Sequence, residues 1–270
     1  MSLLDAGLLG ILQGLTELFP FSSLGLLVIF PRLVRLPIPT SGTSYLPFLV
    51  ALHVGTAAAL ILYFLPEWHR IIRGWLATLR GQRNAAGRLG WLLIIGTIPA
   101  GLVGILFKHD LARLFGKPLI AAIFLLVNGA IMLLGDYIAR APRTKRFGRL
   151  LWSDALTVGI MQILALIPGL SRSGATITGG IFTGLDFEDA AHFSFLLATP
   201  IILAAGLAEL PKLHHGVHGL LAPALVGGIL AGITAWFAVR YLMRYFEVHR
   251  LTPFALISFA LGLIGMIFLI

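Results

Sequence analysis

Cysteine is absent from the 270 residues, which excludes disulfides, Cys-ligated zinc and thiol nucleophiles. Charge is scarce as well: Asp, Glu, Lys and Arg make up 11% of the chain, and acids are the rarer sign, 11 against 20 basic residues. Soluble domains carry about 25% charged and about 45–50% apolar residues, whereas here 58% of residues are hydrophobic and the mean hydropathy is +0.96. One core of this size cannot hide so much apolar surface, and the composition is that of an integral membrane protein. The net charge of +9 does not point to nucleic acid, because the basic residues sit in short loops between apolar runs, where they set topology and meet lipid headgroups. No nucleic-acid partner is expected. A basic segment ahead of the first apolar run is also lacking, so no cleavable signal peptide is expected.

What is present is a series of apolar runs. Six have the length a bilayer needs, at roughly 46–65, 90–107, 118–139, 190–209, 221–243 and 253–270. Two others are interrupted, residues 3–36 at Pro20 and residues 153–185 at Pro168-Gly169. Their limbs of about 11 to 16 residues reach only about 16 to 24 Å, short of a hydrocarbon core of about 30 Å. Such limbs read as re-entrant hairpins whose broken backbone must be covered by protein or line a cavity. The two regions also resemble each other: GILQGLTELFPFSSLG (Gly10 to Gly25) and GIMQILALIPGLSRSG (Gly159 to Gly174) align without gaps at an offset of 149, with six identities in sixteen. Each is followed by an FLVA or FLLA segment, Phe48 to Ala51 and Phe195 to Ala198. The expected fold is therefore an all-α membrane domain of six transmembrane helices and two re-entrant helical hairpins. It forms a single domain built as an inverted-topology repeat, repeat A about 1–139 and repeat B about 152–270.

Loop charge orients it. Placing the loop 66–89 (Arg70, Arg73, Arg80, Arg83, Arg88) and the loop 140–151 (Arg140, Arg143, Lys145, Arg146, Arg149) in the cytoplasm collects most basic residues there and puts both termini outside. Asp186 is expected to cap the helix that follows it, with Asp189 in the first turn.

The polar residues of the two interrupted regions carry the chemistry. Ser22-Ser23 and Ser171-Arg172-Ser173-Gly174 each stand at a hairpin tip just before the second limb, where serine caps a helix N-terminus. Two such N-termini meeting in the membrane make an anion site, and Arg172 adds a planar guanidinium suited to phosphate. Glu17, about a turn before the first tip, is placed to hold a divalent cation or to act as a base. Blander alternatives stay open: a structural Glu17–Arg172 ion pair, serines that only cap, and a Gln13 that only hydrogen-bonds between helices.

With these residues in view, QGLTELFPFSS and PGLSRSGATITGG followed by FSFLLATP resemble the two signature motifs of the bacterial undecaprenyl-diphosphate phosphatase family, the bacitracin-resistance type. The resemblance runs the length of the chain. It implies a multi-pass plasma-membrane enzyme that removes the terminal phosphate of undecaprenyl diphosphate on the outer face, regenerating the carrier lipid for cell-wall synthesis. It also implies a divalent metal, Mg2+ or Ca2+, and a homodimer. Carried over by motif, Glu17, Ser23 and Arg172 take the catalytic places, Ser23 as nucleophile. Gln13, Ser22, Ser171, Ser173, Gly174 and Thr176 contact the polyprenyl diphosphate, and Glu17 with Gln13 holds the metal. Gln13 stands where some members have glutamate. The run Ser22-Ser23-Leu24-Gly25-Leu26 departs further, since Leu26 occupies the place of the motif histidine.

Loss of a general acid or base typically removes about 10²- to 10⁴-fold in rate, so hydrolysis by Ser23 or a metal-bound water is still expected. His53, early in the first full span, is the nearest candidate by topology to replace that imidazole, ahead of His192; His214, His215 and His218 fall in an outer loop. The alternative function is a polyprenyl-phosphate transporter or scramblase that kept the anion site and lost hydrolysis.

Overall fold

A computed structural model of the protein describes residues 1–33, 45–114, 117–141, 145–211 and 219–269. Arg143, His214, His215 and His218 lie outside the described residues. Among the described residues the secondary structure is helical throughout: α1 (Leu3–Thr16), α2 (Ser23–Leu33), α3 (Tyr45–Tyr63), α4 (Leu65–Thr78), α5 (Ala85–Leu106), α6 (Lys108–Leu114), α7 (Pro118–Ile138), α8 (Trp152–Leu164), α9 (Arg172–Phe182), α10 (Phe187–Glu209), α11 (Leu221–Phe246) and α12 (Thr252–Leu269), with a 3-10 turn at Phe147–Arg149.

Five of these, α3, α5, α7, α10 and α11, are long and apolar enough to cross a membrane; α12, on the last expected span, is apolar and shorter. Local chemistry sets their ends. Asn84 caps α5 by accepting from Gly87 N at 2.7 Å, Pro118 opens α7, and Asp186 caps α10 through Asp189 N at 2.8 Å, as its sequence position predicts. The stretch expected as a basic loop at 66–89 is instead largely α4. Pro66 starts that helix, and Trp68, Ile71 and Trp75 form an apolar stripe at helical spacing, with Ile71 buried and Arg70 and Arg73 exposed on the other face.

The interrupted regions each resolve into two short helices. α1 and α2 have 14 and 11 residues, α8 and α9 have 13 and 11, so none rises more than about 21 Å. Their bounds repeat at the same offset, Leu3 with Trp152 and Ser23 with Arg172, and so do their caps. Ser22 Oγ accepts from Gly25 N at 3.1 Å and Ser171 Oγ accepts from Gly174 N at 3.2 Å. Gly10 of α1 lies against the Gly227 carbonyl of α11, and Gly159 of α8 lies on Gly96 of α5, where an added Cβ would stand 2.5 Å from the carbonyl oxygen. At both places side chains are absent so that backbones can touch. At the second tip Gly169 turns with φ +100°, beside Pro168.

The turns between the limbs leave buried backbone groups that need partners. Asn128, buried in α7, covers both tips: its Nδ2 donates to Pro20 O at 2.9 Å and to Ser258 Oγ at 3.1 Å, and its Oδ1 accepts from Ser171 N at 2.9 Å. The tips also bind one another, Ser22 Oγ donating to Leu170 O at 3.2 Å and Ser173 Oγ to Phe19 O at 3.1 Å.

Two expectations follow. Gly159→Leu forces a side chain into the Gly96 backbone and lowers stability by about 1–3 kcal/mol, whereas Gly148→Ala, with open space around it, leaves the thermal midpoint in detergent unchanged. Asn128→Leu strands Pro20 O and Ser171 N at about 1–3 kcal/mol each. Thermal unfolding in detergent therefore shows a drop larger than for a surface change such as Arg70→Gln.

Candidate active site

The meeting of the two tips places Glu17 beside Arg172. Glu17 follows the last turn of α1 and is 7% exposed. A lone carboxylate so buried needs partners on both oxygens, and it has them. Arg172 Nη2 donates to Oε1 at 2.7 Å. On Oε2, Ser23 Oγ donates at 2.6 Å, Gln13 Nε2 donates at 3.0 Å, and His53 Nε2 stands at 3.2 Å. Arg172 is the first residue of α9, and its Nη1 donates to Ser194 O of α10 at 3.3 Å. Four segments therefore supply one polar cluster: α1, the start of α2, α3 and the start of α9.

The residues expected to form the site separate into two groups. Glu17, Ser22, Ser23, Ser171 and Arg172 line one cavity of about 520 Å³, together with His53. Gln13 reaches it through Glu17. Ser173, Gly174 and Thr176 serve the scaffold: Ser173 Oγ meets Phe19 O and Ser171 Oγ, Gly174 N donates to the capping Ser171, and Thr176 Oγ1 meets Arg172 O at 2.7 Å and Ser194 Oγ at 2.6 Å. They hold the Arg172 turn in place.

Leu26 is buried on α2, one turn past Ser22, and is not among the cavity-lining residues. The imidazole in the site is that of His53. Its Nδ1 faces Leu49 O at 2.7 Å, which turns Nε2 toward Glu17. His192 is elsewhere, stacked between Phe64 and Phe147 with its Nε2 2.7 Å from Glu67.

Sequence reasoning missed Asn128 and Ser194. Asn128 had a usable signal, being the one amide in an otherwise apolar span; Ser194, within FSFLLATP, contributes chiefly its carbonyl. Apart from Gln162 of α8, the wall beyond this cluster is aliphatic, from Leu46 and Val50 of α3 to Gly101, Gly104, Ile201 and Ala205 of α5 and α10. It extends to the ends of α5 and α10, where Lys108 and Glu209 form an ion pair. Among the described residues no group of three His, Cys, Asp or Glu side chains is placed to hold a metal. The Gln13 Oε1 is buried without a hydrogen-bond partner on the same amide that binds Glu17.

The chain is similar to known proteins along its length. The profile of a family described as bacitracin resistance protein BacA matches residues 6–264. Undecaprenyl-diphosphatase 2 of Burkholderia thailandensis is 51% identical over 264 residues, covering 97% of this chain and 95% of that protein. Undecaprenyl-diphosphatase 1 of Burkholderia pseudomallei is 50% identical over 264 residues with the same coverage. Undecaprenyl-diphosphatase 2 of Chromobacterium violaceum is 42% identical over 274 residues, covering 99% of each.

Proposed function

The chain belongs to the bacitracin resistance protein BacA family, and from that membership and the site we infer that it is an undecaprenyl-diphosphatase, a membrane hydrolase that converts undecaprenyl diphosphate to undecaprenyl phosphate and inorganic phosphate. The reaction regenerates the lipid carrier used in cell-wall synthesis. The observation that carries the reading is the buried Glu17 carboxylate, which holds Ser23 Oγ, His53 and Arg172 at one end of an aliphatic cavity. A polyprenyl diphosphate needs both surroundings at once, cations and donors for its phosphates and apolar walls for its chain.

In the proposed mechanism Arg172 turns from Glu17 to the incoming phosphates and clamps the terminal one. Ser23 Oγ attacks the terminal phosphorus. The new Oγ–P bond forms as the bond from phosphorus to the bridging oxygen breaks, and the serine proton passes to Glu17 Oε2, to which it is already hydrogen-bonded. Undecaprenyl phosphate leaves as the His53 Nε2 proton passes to its former bridging oxygen, which leaves the imidazole neutral. Water then attacks the phosphoserine and gives its proton to that imidazole; the Oγ–P bond breaks, the Glu17 proton returns to Oγ, and phosphate is released. His53 thereby supplies the imidazole that Leu26 does not.

Glu17 and Gln13 also fit a divalent cation. The unpartnered Gln13 Oε1 and the carboxylate are hard oxygen donors, and the substrate phosphates would complete the set. Mg2+ or Ca2+ held there would neutralise charge on the phosphate oxygens.

Around this site we place six transmembrane helices, α12 included, and two re-entrant hairpins, α1–α2 and α8–α9, as an inverted repeat. The shared offset of helix starts and caps, and the matching use of Gly10 and Gly159 in backbone contacts, support it. With the basic segments 66–89 and 140–151 in the cytoplasm, both termini and the Lys108–Glu209 end of the cavity face the outer side of the plasma membrane.

Phosphate release from undecaprenyl diphosphate by the purified protein tests this. Wild type is active with Mg2+ or Ca2+ and silent with chelator; Ser23→Ala and Arg172→Lys lose at least about 10²-fold, and His53→Leu loses about 10²- to 10⁴-fold, compared at equal amounts of folded protein recovered by size-exclusion chromatography. A silent wild type under every metal condition would return the chain to the transporter reading. Full activity in Ser23→Ala would assign the attack to water.

A further inference from the structure

The spanning helix α11 has no charge from Leu221 to Val239; its only charged residues are Arg240 and Arg244, one turn apart. Those nineteen uncharged residues rise about 28 Å, close to the hydrocarbon thickness of about 30 Å. Arg240 and Arg244 therefore fall at headgroup depth. Both are exposed. Phe237 and Tyr241 flank them at 65% and 55% exposure, and Tyr241, Tyr245 and His249 continue as a row of rings with centroids 6.0 and 4.5 Å apart. These six residues line an open cleft of about 520 Å³, separate from the cavity that holds Glu17.

The cleft has no anion of its own. Neither guanidinium makes an ion pair among the described residues. Asp136, at the end of α7, is engaged by Leu251 N at 2.9 Å and by Thr252 through its N at 2.6 Å and its Oγ1. It caps α12 rather than balancing the arginines. Tyr63, at the end of α3, packs edge-on to Trp236 at 5.8 Å, so this end of α11 lies on the membrane face that carries α4 with Arg70 and Arg73.

We propose that the cleft binds the phosphate headgroup of an anionic glycerophospholipid from the leaflet on that face. Two planar guanidinium groups at i and i+4 suit one phosphodiester, each offering paired donors. The rings beside them belong at the membrane interface, and Phe237, on the apolar side of Arg240, is placed to meet the acyl chains. At this depth the abundant anions are lipid phosphates, and a soluble anion would leave Phe237 and Tyr241 uncovered.

Native mass spectrometry of the detergent-solubilised full-length protein, titrated with phosphatidylglycerol or phosphatidylcholine, tests the proposal. Wild type retains phosphatidylglycerol in preference to phosphatidylcholine. The double variant Arg240→Gln/Arg244→Gln loses that preference by roughly tenfold or more, while Arg70→Gln/Arg73→Gln, which removes the same charge from the same face, keeps it. Both doubles hydrolyse undecaprenyl diphosphate in detergent at the wild-type rate, which reports an intact fold. Three results would overturn the assignment: no preference in wild type, equal losses in the two double variants, or displacement of the lipid by an equal concentration of soluble glycerol phosphate.

Discussion

A backbone that turns away from water must have its freed N–H and C=O groups met by other protein groups, because a buried one left unpaired is costly. The rest of this structure depends on how that constraint is satisfied. The tip between α1 and α2 and the tip between α8 and α9 satisfy each other. Ser22 donates to Leu170 O, Ser173 donates to Phe19 O, and Asn128 takes Pro20 O with one end of its amide and Ser171 N with the other. Neither tip is complete without its counterpart. The bonds that cover the turns are also those that set Arg172 opposite Glu17, so the site is a by-product of making the breaks tolerable.

The same economy shapes the cavity wall. α1 approaches α11 through Gly10 and Gly227, and α8 approaches α5 through Gly159 and Gly96, backbone against backbone. Drawing those helices together on the outside leaves α5 and α10 to border the cavity with Gly101, Gly104, Ala205 and Ala208. Small residues there leave room for an apolar chain, and the polar side chains of the cavity are confined to the tips, His53, Gln162 and the Lys108–Glu209 pair.

Much of this was legible in the residues, for reasons that are local. Proline inside an apolar run, serine before the next limb and an arginine in an apolar segment each have few physical explanations, and the structure shows the two turns in contact, the serine caps and the Glu17–Arg172 ion pair that the sequence left open as a blander alternative. What was not legible depends on rotation and distance. α3 is apolar around its whole circumference, so nothing in its pattern says which way His53 faces; only the packed helix and the Leu49 carbonyl turn it to Glu17. Thr176 and Gly174 sit in a motif that resembles a phosphate loop, yet Thr176 turns to Ser194 and Gly174 supplies a capped N–H. A motif names residues that matter together without saying which of them face the cavity. The segment 66–89 was read as a loop because its arginines dominate its composition, while its helix rests on three aromatic and aliphatic positions.

The Glu17–Arg172 pair raises a further point of mechanism. Without substrate the guanidinium is committed to the Glu17 carboxylate. A diphosphate brings more charge and more oxygens than one carboxylate, and it competes for the same planar donors. Arg172 Nη1 also donates to the Ser194 carbonyl at 3.3 Å, a contact that the exchange can keep. Glu17 Oε1 is released only as phosphate arrives, while Oε2 keeps Ser23 and His53. In the proposed mechanism Oε2, which receives the serine proton, faces Ser23 throughout, and withdrawal of the Arg172 charge from Oε1 raises the carboxylate's affinity for that proton when the phosphorus is in place; the ion pair that makes a buried acid tolerable at rest would then also couple its reactivity to substrate binding.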